Sequence, residues 1–316
     1  MVCTKRLGIT LCSFLIAAIL FGFWGFSILP VSGDYTPDLP FPSEDYSFVY
    51  STGDELSYLM LWHNIDGHID SANEADVLVV GNSRTQLGLL SSVLAPQMAS
   101  LGLKIFWLST GNGEGYWFSE QLFQRYQFSN KIVIIQDEPL TSLWRSYSAR
   151  NAIKSSKWEG EKRFFERQLS WDLEKEIHKL IPKLSFSTNW LSSHLLYRNK
   201  ANGSWLDCMS GLREKRYAAT LKEVEELPAA GGMEFVKFVR QLNNTVILTT
   251  VPNSTKWTSK SVSKMARDLN VYYLPPLERG LYTYDMGHLH PESAAEFSND
   301  FFNKFKRIAI RKGWIH

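Results

Sequence analysis

The sequence predicts an α/β protein, a three-layer sandwich built on a five-strand parallel sheet. Short apolar runs rich in β-branched residues recur along the chain, and helix-like segments separate them. Strands alternating with helices imply a parallel sheet covered on both faces. Most of the runs end in turns carrying Gly, Asn, Ser or Asp, at the carboxyl ends of strands where open parallel sheets bind ligands.

The first strand spans residues 75–81, stops at Gly81-Asn82-Ser83 and feeds a helix over 86–98. Strand two, 104–109, closes in Thr110-Gly111-Asn112-Gly113-Glu114-Gly115 ahead of a helix over 116–127. Strand three, 131–137, is closed by Pro139, and strand four, 245–251, by Pro252-Asn253. A helix over 256–269 precedes strand five, 271–274. The last helix starts at Pro291 and runs to 311, with Ala294, Phe297, Phe301, Phe302 and Phe305 along one apolar stripe.

A helical insertion at 140–240 separates strands three and four. It holds a charge-dense helix over 159–184, with Phe164, Phe165, Leu169, Leu173, Ile177 and Leu180 at helical spacing. This helix is either a solvated one with a single buried face or one lying over the site or against a partner. Further helices are expected over 213–226 and, after Gly231-Gly232, over 233–242.

Residues 7–33 carry no charge, and 7–29 are strongly apolar, long enough to cross a bilayer. Lys5 and Arg6 precede the run and Asp34, Asp38, Glu44 and Asp45 follow it, so the N-terminus is expected in the cytoplasm and the body outside. The alternative is a cleaved signal peptide ending at Val31-Ser32-Gly33, but the run exceeds the usual h-region length. The expected organisation is a cytoplasmic tip and anchor at 1–33, an extended linker with a capping segment at 34–70, and the α/β domain at 71–316. The domain would then sit on the outer side of the cell membrane, in the periplasm if the cell is Gram-negative.

The chain has 316 residues and a formal net charge of +2, with basic and acidic residues interspersed, which argues against a nucleic-acid surface. Cys3 and Cys12 fall in or before the apolar segment, leaving Cys208 without a disulfide partner. His63, His68, His178 and His194 follow no metal-ligand spacing, and no metal or cofactor is expected.

Two strand ends carry chemistry. A serine on a tight turn between strand and helix is a nucleophile if a histidine reaches it. After strand five comes Asp285-Met286-Gly287-His288-Leu289-His290, where a carboxylate three residues before a histidine can fix its tautomer. Ser83, His288 and Asp285 are thus the candidate nucleophile, base and orienting acid. Backbone amides at Ser83 and Gly111, with Asn112, are the candidate oxyanion donors. Each has a rival reading. Ser83 could cap the helix, His290 is an equally placed base, and Asn112 could serve only its turn. Asp137 and Glu138 read as strand-end turn residues.

These residues resemble the SGNH (GDSL-like) hydrolase superfamily. Gly81-Asn82-Ser83 is similar to its nucleophile block, with Asn82 in place of the commoner Asp. Thr110-Gly111-Asn112-Gly113 is similar to its glycine-containing second block, and Asp285-Met286-Gly287-His288 to its C-terminal Asp-x-x-His block. The family's Gly-x-Asn block after strand three has no counterpart in Gln136-Asp137-Glu138-Pro139. The resemblance covers residue 70 to the end, apart from the insertion. It implies an SGNH-like fold and a serine esterase or O-acyltransferase acting on an acylated cell-surface glycan. It also points to membrane-anchored members that work with membrane-bound O-acyltransferases in alginate acetylation or lipoteichoic-acid D-alanylation. A catalytically inactive scaffold docked on such an acyltransferase is the alternative. A flavodoxin-like phosphate site at Gly111–Gly115 is the third reading, and it lacks the dinucleotide fingerprint.

Overall fold

A computed structural model describes residues 45–51, 54–111, 114–180, 196–207, 216–219, 230–254, 259–277 and 280–315. The chain enters as strands β1 (Tyr46–Ser51) and β2 (Asp54–Glu55), followed by helices α1 (Ser57–His63) and α2 (His68–Glu74). Then come β3 (Val77–Val80), α3 (Ser83–Gly88), α4 (Ser91–Ala99), β4 (Ile105–Trp107), α5 (Tyr116–Tyr126) and β5 (Ile132–Gln136). The insertion carries α6 (Glu138–Thr141), α7 (Tyr147–Lys154), α8 (Lys157–Leu180), β6 (Leu196–Asn199), β7 (Trp205–Asp207) and β8 (Tyr217–Ala218). The chain ends with α9 (Ala230–Gln241), β9 (Thr245–Thr249), α10 (Ser259–Asp268), β10 (Tyr272–Leu274), β11 (Tyr282–Thr283) and α11 (Pro291–Lys312).

The five expected strands form one parallel sheet in the order β10-β9-β5-β3-β4. Their side chains alternate between two apolar layers, as the two-residue period of a strand requires. Val77, Val79, Trp107, Ile134 and Ile247 face Phe297, Phe301 and Phe305 of α11. Leu78, Val80, Phe106, Val133, Ile135 and Leu248 face the opposite layer, which contains Tyr58, Phe118, Phe123 and Phe235. The sheet order puts β3 near the middle, so Gly81-Asn82-Ser83 leaves it between the ends of β4 and β5.

Several expectations change. The single helix expected after strand one is two, α3 and α4. Ser298 of α11 enters the break, accepting from Leu90 N at 2.9 Å and donating to Gly88 O at 3.0 Å, so both groups freed by the break are paired. Residues 46–50, expected within the extended linker, instead belong to β1, which pairs antiparallel with β6 in a second sheet ordered β2-β1-β6-β7. The insertion is therefore not purely helical. Tyr217–Ala218, expected inside a helix, is strand β8 and pairs with β11. The rest of that expected helix lies largely outside the described residues. So do Asn112 and residues 7–29 of the expected anchor; among the described residues no helix is long and apolar enough to cross a membrane.

The second sheet is tied to the end of β4 by a buried arginine. Arg198 on β6 is fully buried, and its guanidinium donates to the carbonyls of Trp107 and Gly203, both at 2.8 Å, and to that of Ser109. Gln86 of α3 donates to the same Ser109 and Gly203 carbonyls at 3.2 and 3.1 Å and accepts from Trp205 N at 3.0 Å. Gly203 has φ +70°, and a Cβ there would stand 2.5 Å from Trp107 O, so only glycine fits the close approach. His68 is also fully buried, its ring edge-on to Phe106; burial and then the Arg198 charge hold it down to about 3, so it is neutral.

Replacing Arg198 with Met would remove one donor from each of three buried carbonyls; those of Ser109 and Gly203 keep Gln86, that of Trp107 does not, and a buried acceptor left unpaired costs about 1–3 kcal/mol. Arg198→Met is expected to lower unfolding stability by about 1–3 kcal/mol, read as a drop in the urea midpoint. Arg198→Lys is expected to recover part of it.

Candidate active site

The nucleophile turn is shaped by crowding. A Cβ on Gly81 would lie 1.9 Å from Thr85 Oγ1 and 3.2 Å from Gln136 Cβ, so the strand can turn tightly into α3 only with glycine there. Asn82 follows in an extended conformation and caps α3, its side-chain oxygen accepting from Arg84 N at 3.0 Å. The cap is therefore Asn82, and Ser83 is the first helical residue. Its hydroxyl is left for another partner.

That partner is His288, whose Nε2 lies 2.9 Å from Ser83 Oγ. His288 Nδ1 lies 2.7 Å from Asp285 Oδ2. The other carboxylate oxygen, Oδ1, accepts from the amides of Gly287 at 2.9 Å and His288 at 2.7 Å. Met286 sits at φ 66°, the left-handed conformation that turns the chain back on the carboxylate. Burial pushes the Asp285 carboxyl up, but the His288 hydrogen bond and charge and the two amide bonds outweigh it and hold it down to about 2. Asp285 is thus ionised at neutral pH and can stabilise a protonated imidazole.

The loop that presents His288 is braced on several sides. Tyr284 N donates to His288 O at 3.1 Å, and His290 N to Tyr282 O at 2.8 Å. The Tyr284 ring lies nearly parallel to the His288 ring, 5.8 Å away. Ser254 N, after β9, donates to Met286 O at 3.0 Å. From the insertion, β8 pairs with β11 just before the loop, and the hydroxyls of Ser254 and Thr283 hydrogen-bond each other beside it. His290, the rival base, is buried at the start of α11, where its carbonyl accepts from Ala294 N at 2.8 Å. The structure brings His288, rather than His290, to the serine.

The turn after β4 carries the expected oxyanion residue Gly111. Its carbonyl accepts from Tyr58 Oη at 3.0 Å and from Glu114 N at 3.3 Å, which fixes the turn from behind. Glu114 is itself buried. Burial pushes its carboxyl up, against the bonds it accepts from Ser146 N and Tyr58 Oη. Asn112 is outside the described residues.

The end of strand three holds what sequence reasoning missed. Glu138 accepts from Asn82 Nδ2 at 2.9 Å and pairs with Arg84 Nη1 at 2.8 Å. A side chain on Gly287 would begin 3.9 Å from the other guanidinium nitrogen, so Arg84 spans from Glu138 towards the Asp285–His288 turn. Glu138 is therefore a clamp on the nucleophile turn, and the adjacent Arg84 was the available signal. Asp137 is buried and accepts from Thr250 Oγ1 at 3.1 Å. Gln136, also buried, spends its amide on Thr85 and Asp137. Among the described residues no cluster of His, Cys, Asp or Glu could hold a metal ion.

Comparisons with protein-family models, with characterised proteins and with solved structures find no match for this chain.

Two outcomes follow from this geometry. Asn82→Ala removes a helix cap and one partner of Glu138, and is expected to cost about 1 kcal/mol or slightly more in urea unfolding. Asp285 is held well below its ordinary value of 3.8 in the fold, so its contribution to stability is complete above that value and lost as pH falls through about 2. The stability difference between wild type and Asp285→Asn should shrink between pH 4 and pH 2, read from urea midpoints across that range.

Proposed function

We propose that this chain is an extracytoplasmic, membrane-anchored serine esterase or O-acyltransferase acting on an acylated cell-surface glycan. The observation that carries the reading is the relay from Ser83 Oγ through His288 to Asp285, at 2.9 and 2.7 Å. In this mechanism Ser83 Oγ attacks the acyl carbonyl while His288 Nε2 takes its proton. Asp285 balances the imidazolium. The amide of Ser83, at the first position of α3 where no intrahelical acceptor exists, and that of Gly111 would hold the oxyanion, with Asn112 beside them. His288 then returns the proton to the leaving hydroxyl, and an acyl group remains on Ser83. Water deprotonated by His288 completes hydrolysis; a sugar hydroxyl in its place completes transfer. The uncharged run at 7–33 supports attachment to the membrane, and a membrane-bound O-acyltransferase is the partner this reading favours.

One observation favours the alternative, an inactive scaffold docked on such an acyltransferase. The segment where the resemblance implies a third oxyanion donor, Gln136-Asp137-Glu138-Pro139, has no Gly-x-Asn block, and its Glu138 carboxylate is already tied to Asn82 and Arg84.

Turnover of a small acetyl ester separates the two. The esterase reading expects wild-type hydrolysis above background, near-background rates for Ser83→Ala and His288→Ala, and a loss of roughly 100- to 10,000-fold for Asp285→Asn. Wild-type rates equal to those of Ser83→Ala would favour the scaffold.

A further inference from the structure

Helix α8 has two apolar faces, and the fold uses one. On the inner face Phe164 is buried and Gly160 packs against His63 of α1. On the opposite side Trp158, Phe165 and Leu169 are 72, 64 and 47 % exposed. At 100° per residue their spacings of seven and four place them within a narrow stripe along the helix. Helix α7 just before it buries Ala149 and Ala152 and turns Tyr147, Arg150 and Lys154 outward along one line. Leu143 and Trp144, at the start of this region, are 70 and 51 % exposed.

The setting selects an occupant. Residues 141–169 carry seven Lys or Arg against three Glu, and Arg145, Arg150, Lys154 and Lys157 are exposed among the aromatic side chains. Cationic side chains interleaved with exposed Trp, Tyr, Phe and Leu suit the interfacial layer of an anionic bilayer. The chain outside the described part ends here too. Forty-four residues precede Asp45, including the uncharged run at 7–33, and β1, which follows directly, contacts α8. The apolar region also adjoins the site. Gly115 N, in the turn after Gly111, donates to Trp144 O at 3.2 Å, and Ser146 N donates to Glu114 at 2.8 Å.

We infer that the outer face of α7 and α8 docks on an anionic lipid surface, with Trp158, Phe165 and Leu169 entering the interfacial layer. Docking holds the Gly111 side of the site mouth at the membrane, where acyl groups and membrane-bound partners are found. The inference rests on the anchor in the proposed function and on none of its triad chemistry.

The test uses the full chain with Cys3→Ser, Cys12→Ser and Cys208→Ser, carrying either Phe165→Cys or, on α11 across the sheet, Lys306→Cys. Each is labelled with an environment-sensitive fluorophore and reconstituted into phosphatidylcholine–phosphatidylglycerol vesicles, with iodide on both sides of the bilayer. Bromination of the phosphatidylcholine chains is expected to quench the label at 165 at least twofold more than that at 306, with 165 the less quenched by iodide. Adding Trp158→Glu and Leu169→Glu should abolish the bromolipid quenching at 165 while the chain still floats with the vesicles. Equal iodide access at 165 and 306 would overturn the inference. So would protection at 165 without bromolipid quenching, the result expected if a second copy or the chain's own N-terminal segment covers the face, and so would failure to float. Flotation reads the anchor, quenching at 165 reads the docking, and ester turnover reads the triad, so each failure is distinct.

Discussion

The contact between Ser83 and His288 joins residues 205 apart in sequence, and much of the described structure serves to make it. Neither residue can be placed by its neighbours alone. The sheet order puts β3 beside β5, with β9 and β10 beyond, so the turn after β10 must reach back across two strand ends to meet the serine. A slip in either loop of an ångström would break a hydrogen bond whose strength falls steeply with distance and angle. The clamps are therefore redundant: Glu138 and Asn82 on the serine side, Ser254, Tyr284 and the β8–β11 pair on the histidine side.

This division explains the insertion. It lies far from the triad in sequence, yet Tyr217–Ala218 braces the histidine loop and Arg198 holds the end of β4, which leads into the Gly111 turn. A buried guanidinium is costly unless its donors are satisfied, and here backbone carbonyls from two separate chain segments satisfy them. The second sheet is thus a support for one wall of the site as well as a cover for one end of the main sheet.

The main strands were legible because most of their residues are buried and read as short apolar runs, with the edge strand β10 half-buried at Tyr272 and Tyr273. The triad residues were legible because the serine turn and the Asp-x-x-His spacing are local patterns placed after predicted strands. What stayed hidden depends on remote partners. Tyr46–Ser51 is rich in strand-forming residues, but nothing near it announces Leu196–Asn199 as its partner. The break between α3 and α4 needs Ser298, more than two hundred positions away. His288 and His290 differ only in which side of the turn they occupy, a choice made by the left-handed Met286 and by the start of α11. Glu138 looked like an ordinary turn residue because its role is defined by Asn82 and Arg84 across the sheet edge.

The proposed chemistry requires that Ser83 be more nucleophilic than every other serine in the chain. Fluorophosphonate treatment of the full chain, followed by mass spectrometry of its peptides, reads this directly. A single phosphonyl adduct on Ser83, abolished in His288→Ala, is the predicted result. No adduct, or an adduct on another serine that persists in Ser83→Ala, would contradict it.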